Sequence, residues 1–462
     1  MDETRIAPRP SPAVPLGRVR WAAFLVFGVL FVALAAQAQA RRFPDIVLVT
    51  VDTLRFDRMS GNGYARPTSP YVDALTRRGA QFTQARTVEP LTAPALASML
   101  TSRHPQDHGA TRNGLPMRAG LDSLARTLGK RGYRTAAFVG NWTLRDELTG
   151  LGEHFDVYNE VFSRKRWFGL MFGEATAEHL NSEALGWLGE HRKTSPTTPV
   201  FLWVHYVEPH APYRFHRQFA GRLGLHRRTA DASDRYDTEI AFVDEQVGYL
   251  LAEFQQGMNS DVPPLVIFTA DHGESLGEHD YWGHGRHLYE ATLHIPWAMS
   301  WQGRLAPQKV DGLASILDLA PTVLGLVGLR VPESFQGFDW SEILRSGGEA
   351  PEGRITYHQA HRGAVSNPGP QSRRRGLLEV GVVSADGKEI LRIKGQHRRQ
   401  RFDLGADPTE LESLVDERSK PSAELAAWLE TVRQGLAASD DLAAPVLDGE
   451  ALERLRALGY ID

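Results

Sequence analysis

Cysteine is absent from all 462 residues of this chain. Its absence excludes disulfide bonds, thiolate metal ligands and cysteine nucleophiles, and also a lipid-modified cysteine at an export site. A marked excess of charge is missing as well, since the formal net charge is −4. The overall charge therefore predicts no nucleic-acid partner and no electrostatic attachment to an anionic membrane.

Long apolar runs are scarce, and one lies near the N-terminus, over residues 21–36. Arg18 and Arg20 precede this run, and the sequence Gln-Ala-Gln-Ala at 37–40 follows it. A basic start, a short apolar stretch and an Ala-x-Ala end are typical of a secretory signal peptide. Because the run is only slightly shorter than the ~20 residues of a spanning helix, an uncleaved anchor is the alternative. Either interpretation of residues 1–40 predicts an exported protein, periplasmic or extracellular, and the anchor alternative predicts that the protein stays attached to the membrane.

The rest of the chain alternates between continuous apolar runs and helical patterns. The four apolar runs, typical of strands buried on both faces, are residues 46–51, 135–139, 200–204 and 265–269. The helical stretches between them include 121–131, 175–190 and 235–255. This alternation predicts an α/β fold with a large, mostly parallel or mixed sheet flanked by helices, over residues 41–345. Residues 346–462 are predicted to form a small C-terminal sheet-plus-helix subdomain, after a Gly-, Pro- and Glu-rich boundary.

Polar residues with ligand chemistry stand where the four predicted strands end. They are Asp52, Asn141, His205 and the pair Asp271-His272. In open α/β sheets, ligands bind at the carboxyl ends of the strands, where the loops diverge. Carboxylates and imidazole are typical ligands of divalent metals. The sequence therefore predicts a metal site at this edge, with His210 and the glycine-rich 277–285 loop, which carries His279 and His284, close by.

Thr92 has two interpretations. The pattern of residues 93–102 predicts a helix with Pro94 in its first turn, which places Thr92 at the N-cap. Threonine is a good N-cap residue, and that role alone accounts for it locally. A hydroxyl at a helix N-terminus also lies in a positive field that favours an alkoxide and an anionic substrate. A neighbouring divalent metal would lower its pKa further.

Five segments of the chain resemble the sulfatase family of the alkaline phosphatase superfamily. They are residues 44–57, 91–105, 204–213, 269–279 and 401–410. The resemblance implies an alkaline-phosphatase-like fold, an ester-hydrolase activity and one bound divalent metal ion (Ca, Mn, Mg or Zn). It also implies roles for individual residues: metal ligands at Asp52, Asp271, His272 and Thr92, catalytic groups at Thr92, His210 and His284, and substrate contacts from Asn113, Asn141 and His205.

Several positions depart from the family pattern. Thr53 stands in place of a second aspartate, Leu96 in place of an arginine, and Asn141 in place of a lysine. Thr92 occupies the position of the cysteine or serine that becomes formylglycine, and its methyl group blocks that oxidation. The resemblance therefore favours direct attack by Thr92 on the phosphorus or sulfur of a small-molecule, glycan or lipid-headgroup ester. The alternatives are an inactive binder of anionic glycans or headgroups, and a phosphoethanolamine- or glycerophosphate-type transferase attached through residues 21–36.

Overall fold

The structure is a computed structural model that describes residues 43–166, 171–257, 262–362, 376–394 and 398–438, together with Gly449. The predicted signal peptide or anchor at residues 1–40 lies outside these ranges. Within them, none of the helices combines the length and the apolar composition that a membrane-spanning segment requires.

The chain alternates strands and helices along most of its length. In chain order, the strands are β1 (Ile46–Val51), β2 (Ala80–Phe82), β3 (Ala85–Arg86), β4 (Arg134–Val139), β5 (Val157–Glu160), β6 (Phe162–Arg166), β7 (Met171–Glu174), β8 (Val200–Tyr206), β9 (Leu265–Ala270), β10 (Ser275–Leu276), β11 (Trp282–Gly283), β12 (Trp297–Trp301), β13 (Gln308–Val310), β14 (Ala314–Ser315), β15 (Thr356–His361), β16 (Leu377–Ser384), β17 (Gly387–Arg392) and β18 (Arg398–Phe402). The α-helices are α1 (Pro70–Thr76), α2 (Thr92–Thr101), α3 (Pro105–His108), α4 (Leu124–Gly129), α5 (Asp146–Thr149), α6 (Ala177–Thr194), α7 (Arg217–Leu223), α8 (Ala232–Gln256), α9 (Glu290–Leu293), α10 (Leu319–Leu326), α11 (Ser341–Ser346) and α12 (Ala423–Ala437).

The predicted large sheet is present, with eight strands in the order β13-β2-β12-β9-β1-β8-β4-β5. The strands from β9 to β5 run parallel to one another, while β12 is antiparallel to both of its neighbours. Every residue of β1 and β8 is buried, as expected for central strands covered on both faces. Helices α4 and α6 pack on β4. The prediction of a mostly parallel sheet flanked by helices is confirmed.

Strand β8 continues beyond its predicted end at residue 204. It pairs with β1 and β4 through His205, which lies opposite Thr50 and Val139. His205 therefore stands inside the strand, not after it, because both neighbouring strands still offer it backbone partners. Helix α8 likewise begins before its predicted start, where Asp231 and Asp234 form a capping box that satisfies the first backbone N–H groups.

The C-terminal part contains an antiparallel sheet of four strands in the order β15-β16-β17-β18. Helix α12 packs on β16 and β17, where Leu425, Trp428 and Val432 contribute to a separate apolar cluster. The predicted sheet-plus-helix arrangement is therefore present. The subdomain boundary at 345/346 stays a prediction.

Asp244 of α8 holds the start of α1, and this contact predicts a pH dependence of stability. Its carboxylate accepts the backbone N–H groups of Tyr71 (3.1 Å) and Val72 (2.9 Å). Burial raises its pKa to about 7, and the charge of Asp73 adds to the effect, against the lowering by the two N–H groups. Between about pH 4 and pH 7 the folded state therefore binds more protons at this site than the unfolded state.

We expect the free energy of unfolding to lose a contribution of up to a few kcal/mol (about 1.4 per pKa unit) as pH rises through that window. Urea denaturation at several pH values, for the wild type and Asp244→Asn, measures this contribution. The variant should lack the Asp244 part of the slope. Identical slopes in the two proteins would show that Asp244 does not titrate in this range.

Candidate active site

Asp52, Asp271 and His272 meet at the carboxyl edge of the large sheet. Asp52 follows β1, and the other two follow the adjacent parallel strand β9, so the two strand ends deliver them to one place. One ligand atom from each residue lies within 4.8 Å of the others. All three side chains are fully buried. The three predicted metal ligands are thus brought together.

His272 is held in the tautomer that a metal ligand requires. Its Nδ1–H donates to the carbonyl of Gly273 at 2.9 Å, which leaves the lone pair on Nε2. That Nε2 lies 3.4 Å from Asp271 Oδ2 and 3.8 Å from Asp52 Oδ1. Burial and the neighbouring His284 lower the pKa of His272 to about 3, so the imidazole is neutral. A neutral ring fixed through its other nitrogen is the usual arrangement of a metal-binding histidine.

Asp52 and Asp271 have no cationic partner among the residues that the structure describes. Within the described ranges, no lysine or arginine forms an ion pair with Asp52 or Asp271, and Asp52 Oδ1 and Asp271 Oδ2 have no hydrogen-bond partner. Burial and the charge of Asp52 raise the pKa of Asp271 well above its usual range. Burial acts in the same direction on Asp52, but the imidazoles around it, His205 foremost, outweigh it and lower the pKa of Asp52. Two buried carboxylates with unused oxygens fit a divalent cation.

Thr92 lies beside these ligands and does not cap its helix. The predicted N-cap position is wrong by one residue: Thr92 is the first residue of α2, Leu91 is the N-cap, and no side chain of the N-cap residue makes a capping hydrogen bond. The carboxamide oxygen of Asn113 accepts the N–H of Ala93 at 3.0 Å and takes over part of that role. The Thr92 hydroxyl instead lies 3.4 Å from His272 Nε2.

Asn141 and His205 lie behind Asp52. Asn141 Nδ2 donates to Asp52 Oδ2 at 2.5 Å, while its Oδ1 accepts the N–H of Thr143. His205 Nδ1 lies 2.8 Å from the hydroxyl of Thr50, and its Nε2 lies 3.8 Å from Asp52 Oδ2. Both side chains are fully buried, and the hydrogen bond from Asn141 fixes one oxygen of Asp52. Their substrate contacts stay a prediction, as does that of Asn113, whose Nδ2 has no hydrogen-bond partner in the described part of the chain.

His284 and His210 lie next to the ligand cluster. The ring centroid of His284 is 4.5 Å from that of His272 and 5.2 Å from that of His210. A buried carboxylate orients His284, because Glu274 Oε1 accepts its Nδ1–H at 2.9 Å, and Glu274 Oε2 accepts the hydroxyl of Tyr213 at 3.0 Å. The sequence prediction missed both of these supporting residues. The signal for Glu274 was its place directly after Asp271-His272-Gly273.

Two other side chains that could bind a metal ion, those of Glu208 and His279, do not join this cluster. Glu208 accepts the N–H of Ala177, and His279 stacks on Tyr289 with ring centroids 3.6 Å apart. Over the residues that the structure describes, Asp52, Asp271 and His272 form the one group of three or more ligand side chains close enough to share an ion. The site therefore fits a single cation.

The departures from the family pattern have local explanations. Thr53 adopts a left-handed backbone conformation with φ at 55°, which is strained for a β-branched residue. In this conformation its N–H donates to Asp271 Oδ1 at 3.1 Å, and its carbonyl accepts the hydroxyl of Tyr236. Leu96 is fully buried in the hydrophobic core. Thr53 thus supports a ligand through its backbone, while Leu96 supports the packing of α2.

The model of the family described as sulfatase matches residues 44–329. The chain is a member of the sulfatase family. A second model, described as N-sulphoglucosamine sulphohydrolase, C-terminal, matches residues 277–435. The sulfatases are sulfuric ester hydrolases, and family members generally bind a divalent metal. The predicted family and the predicted class of enzyme are therefore confirmed.

Among known proteins, the chain is 27% identical to human arylsulfatase A over 391 residues, which are 72% of this chain and 74% of the relative. It is 23% identical to the ulvan-active sulfatase of Formosa agariphila over 343 residues, 66% of this chain and 65% of that relative. The solved structure of the phosphonate monoester hydrolase of Agrobacterium radiobacter matches with a TM-score of 0.64 and 22% identity, covering 91% of this chain and 96% of that one. This last likeness shows the fold.

Proposed function

We propose that this sulfatase-family enzyme hydrolyses a sulfate or phosphate ester with Thr92 as the nucleophile. Asp52, Asp271, His272 and Thr92 would hold one divalent cation. The observation that carries the proposal is the position of the Thr92 hydroxyl, which makes no capping bond and lies 3.4 Å from the free nitrogen of His272. A threonine that served only as a helix cap would direct its oxygen to a backbone N–H of its own helix.

The reaction divides into two transfers. In the first, Thr92 Oγ1 bonds to the sulfur or phosphorus and the bond to the leaving oxygen breaks; His284, assisted by His210, gives that oxygen a proton, and the proton lost by the Thr92 hydroxyl replaces it on the histidine pair. In the second, water attacks the Thr92 ester; one of its protons restores the threonine hydroxyl, and the acid is released. When bound, the cation lowers the pKa of the hydroxyl and neutralises charge on the ester oxygens.

The positive end of α2 supports the same assignment. Thr92 is the first residue of a ten-residue helix, so the N–H groups of its first turn, which lack partners within the helix, belong to the same end of the helix as the Thr92 hydroxyl. Asn113 accepts one of these groups through Oδ1, which leaves its Nδ2 available for an oxygen of the substrate anion. The helix end and this amide would complement a tetrahedral oxyanion in place of the missing arginine and lysine.

An assay on four ester classes tests the proposal. An aryl sulfate, a phosphate monoester, a phosphodiester and a phosphonate monoester are compared after chelation and after addition of Ca, Mn, Mg or Zn. We expect cation-dependent turnover of a sulfate or phosphate ester. The family favours sulfate, whereas a threonine nucleophile favours phosphorus. An enzyme that binds no divalent cation and turns over none of the four esters would contradict the proposal.

A second candidate is an inactive binder of anionic glycans or headgroups. It is favoured by the loss of two cationic positions, filled here by the buried Leu96 and by Asn141, which contacts Asp52. Such a protein would bind a sulfated or phosphorylated ligand in titration calorimetry without turnover.

For the active enzyme we propose an exported location, on the pattern of residues 1–40, and a small-molecule, glycan or lipid-headgroup ester as substrate. Mass spectrometry of the mature N-terminus separates a cleaved signal peptide from a retained anchor, on which a membrane-attached transferase would depend.

His284→Ala is expected to lower kcat/KM most for esters with a poor leaving group. An alkyl ester needs a proton on its leaving oxygen, so we expect kcat/KM to fall by about 10²-fold or more. A 4-nitrophenyl ester, whose leaving oxygen is stable without a proton, should lose far less. The matched control is His279→Ala, since His279 belongs to the same glycine-rich loop but stacks on Tyr289. Equal losses on the two esters, or equal losses in the two variants, would remove His284 from this role.

A further inference from the structure

The segment that follows His284 is held by the C-terminal sheet. Glu379 of β16 contacts the first residues of this segment. Its Oε1 lies 2.9 Å from His287 Nδ1, and its Oε2 accepts the N–H of Leu288 at 3.0 Å. The Glu379 side chain is 5% exposed and is also paired with Arg392 of β17. A buried carboxylate with these three partners fixes the backbone of residues 287 and 288.

A second group of ion pairs and hydrogen bonds binds the start of α9 to the C-terminal sheet. Lys388 of β17, which is fully buried, lies 3.0 Å from Glu290 Oε1 and 2.7 Å from Glu410 Oε1. The other oxygen of Glu410 accepts the N–H of Glu290 at 2.6 Å. Glu290 is paired in turn with Arg86 of β3. The family segment at 401–410, which the proposed chemistry does not use, thus ends in a residue that binds α9.

Apolar and aromatic contacts complete the attachment. Leu288 and Leu293 share a buried cluster with residues of the C-terminal sheet, namely Ala360, Ile390 and Phe402. The hydroxyl of Tyr289 donates to Gln400 of β18 at 3.1 Å. Residues 287–293 are therefore anchored to the C-terminal sheet on both their polar and their apolar sides.

Three peptide units separate His287, the start of this anchored segment, from His284, and three residues span at most ~10 Å. Gly285 between them packs closely on Leu91, since a Cβ at this residue would lie 2.7 Å from a side-chain carbon of Leu91. We infer that Glu379 is a positioning residue that sets the place of the His284 imidazole, with Lys388 and Glu410 as a second anchor. This inference rests on the proposed role of His284. A displacement of about 1 Å in a reacting group costs on the order of 10²-fold in rate.

Two carboxylates of the C-terminal sheet offer a matched comparison. Glu379 pairs with Arg392 and contacts the 287–288 segment. Glu389 of β17 pairs with Arg399 at 2.6 Å and accepts the N–H of Ser422, and within the described ranges its contacts lie away from that segment. The variants Glu379→Gln and Glu389→Gln each weaken one Arg–carboxylate pair of the same sheet, but only the first releases His287 and Leu288.

We expect Glu379→Gln to lower kcat on an alkyl ester by about 10-fold or more, with a change below about 3-fold on the 4-nitrophenyl ester and an unchanged KM. Glu389→Gln should match the wild type on both esters. Hydrogen exchange followed by mass spectrometry should show faster exchange of residues 281–290 in Glu379→Gln alone. If Glu379→Gln fails to fold, Gln400→Leu, which removes the Tyr289 contact, should show the same pattern at smaller size.

The inference is overturned if the two glutamine variants behave alike, or if Glu379→Gln lowers the rates of both esters equally. A wild-type enzyme that turns over neither ester refutes the proposed function instead. In that case the exchange data still decide the positioning: unchanged exchange of residues 281–290 in Glu379→Gln contradicts it.

Discussion

Thr92→Val is expected to lower kcat by at least ~10³-fold on every ester that the enzyme accepts, because it removes the nucleophilic oxygen and keeps the shape of the side chain. Thr92→Ser, which keeps the hydroxyl, should retain measurable turnover. Steady-state rates with the best ester of the four-class assay check both variants. The loss should appear in kcat and kcat/KM alike, since the bond formed by Thr92 exists only along the reaction.

Stability provides the control that separates a nucleophile from a helix cap. Replacing a side chain that caps a helix costs ~1 kcal/mol, but the Thr92 hydroxyl caps no backbone group. We therefore expect Thr92→Val to unfold at the same urea concentration as the wild type. Asn113→Ala should be destabilised, because it loses the acceptor of the Ala93 N–H. A Thr92→Val enzyme with full activity and reduced stability would return Thr92 to the role of a cap.

Asp271→Asn is expected to abolish the response to divalent cations. The variant removes one of two anionic ligands, so the loss of activity should exceed the ~100-fold that is typical of residues outside the ligand set. The wild type should unfold at a higher temperature when the cation is added. At a cation concentration of 100 Kd, binding adds about 2.7 kcal/mol to the free energy of unfolding. The variant should show no such shift.

In the presence of a chelator, the order of stabilities is expected to reverse. The metal-free wild type keeps two buried carboxylates side by side, a situation that raises the pKa of Asp271 through burial and the charge of Asp52. An uncharged amide at position 271 removes this repulsion, so Asp271→Asn should then unfold at a higher temperature than the wild type. The control is Asp244→Asn, which replaces a buried carboxylate of α8 outside the ligand cluster. This variant should keep the cation response. A cation-dependent shift preserved in Asp271→Asn would contradict the ligand set.

The meeting of Asp52, Asp271 and His272 could be predicted from the sequence because they follow two adjacent, central parallel strands. Strands buried on both faces are continuous apolar runs, and the first polar residue after such a run lies at the sheet edge. Asp52 and Asp271 follow this rule directly, since β1 and β9 end at Val51 and Ala270. His205 does not, because pairing with two neighbouring strands extends β8 past it.

Contacts between distant segments could not be predicted in this way. Strand β12 enters the sheet antiparallel between β9 and β2, and its pattern of Trp, Met and Ser gives no sign of that direction. Asn113 reaches the N–H of Ala93 across 20 positions, and Glu379 reaches His287 across 92 positions. These contacts depend on the tertiary packing, which cannot be predicted from the local periodicity of the sequence.

The predicted domain boundary, which stays a prediction, separates segments that contact each other in the structure. The predicted boundary at 345/346 follows a change in composition, whereas the two family models overlap over residues 277–329. This overlap contains the 287–293 segment, which belongs to the catalytic part by sequence and packs on the C-terminal sheet. A chain cut at the predicted boundary would therefore separate His287 and Glu290 from their partners Glu379, Lys388 and Glu410.

The covalent state of Thr92 during turnover tests the central claim most directly. A 4-nitrophenyl ester of the preferred acid makes the first transfer fast, so the Thr92 ester should accumulate and 4-nitrophenol should appear in a burst. Acid quenching followed by peptide mass spectrometry should then find the sulfate or phosphate group on the peptide that contains Thr92, and not in Thr92→Val. A burst with the group on another residue, or turnover with Thr92 unmodified at every time point, would contradict the assignment of Thr92 as the nucleophile.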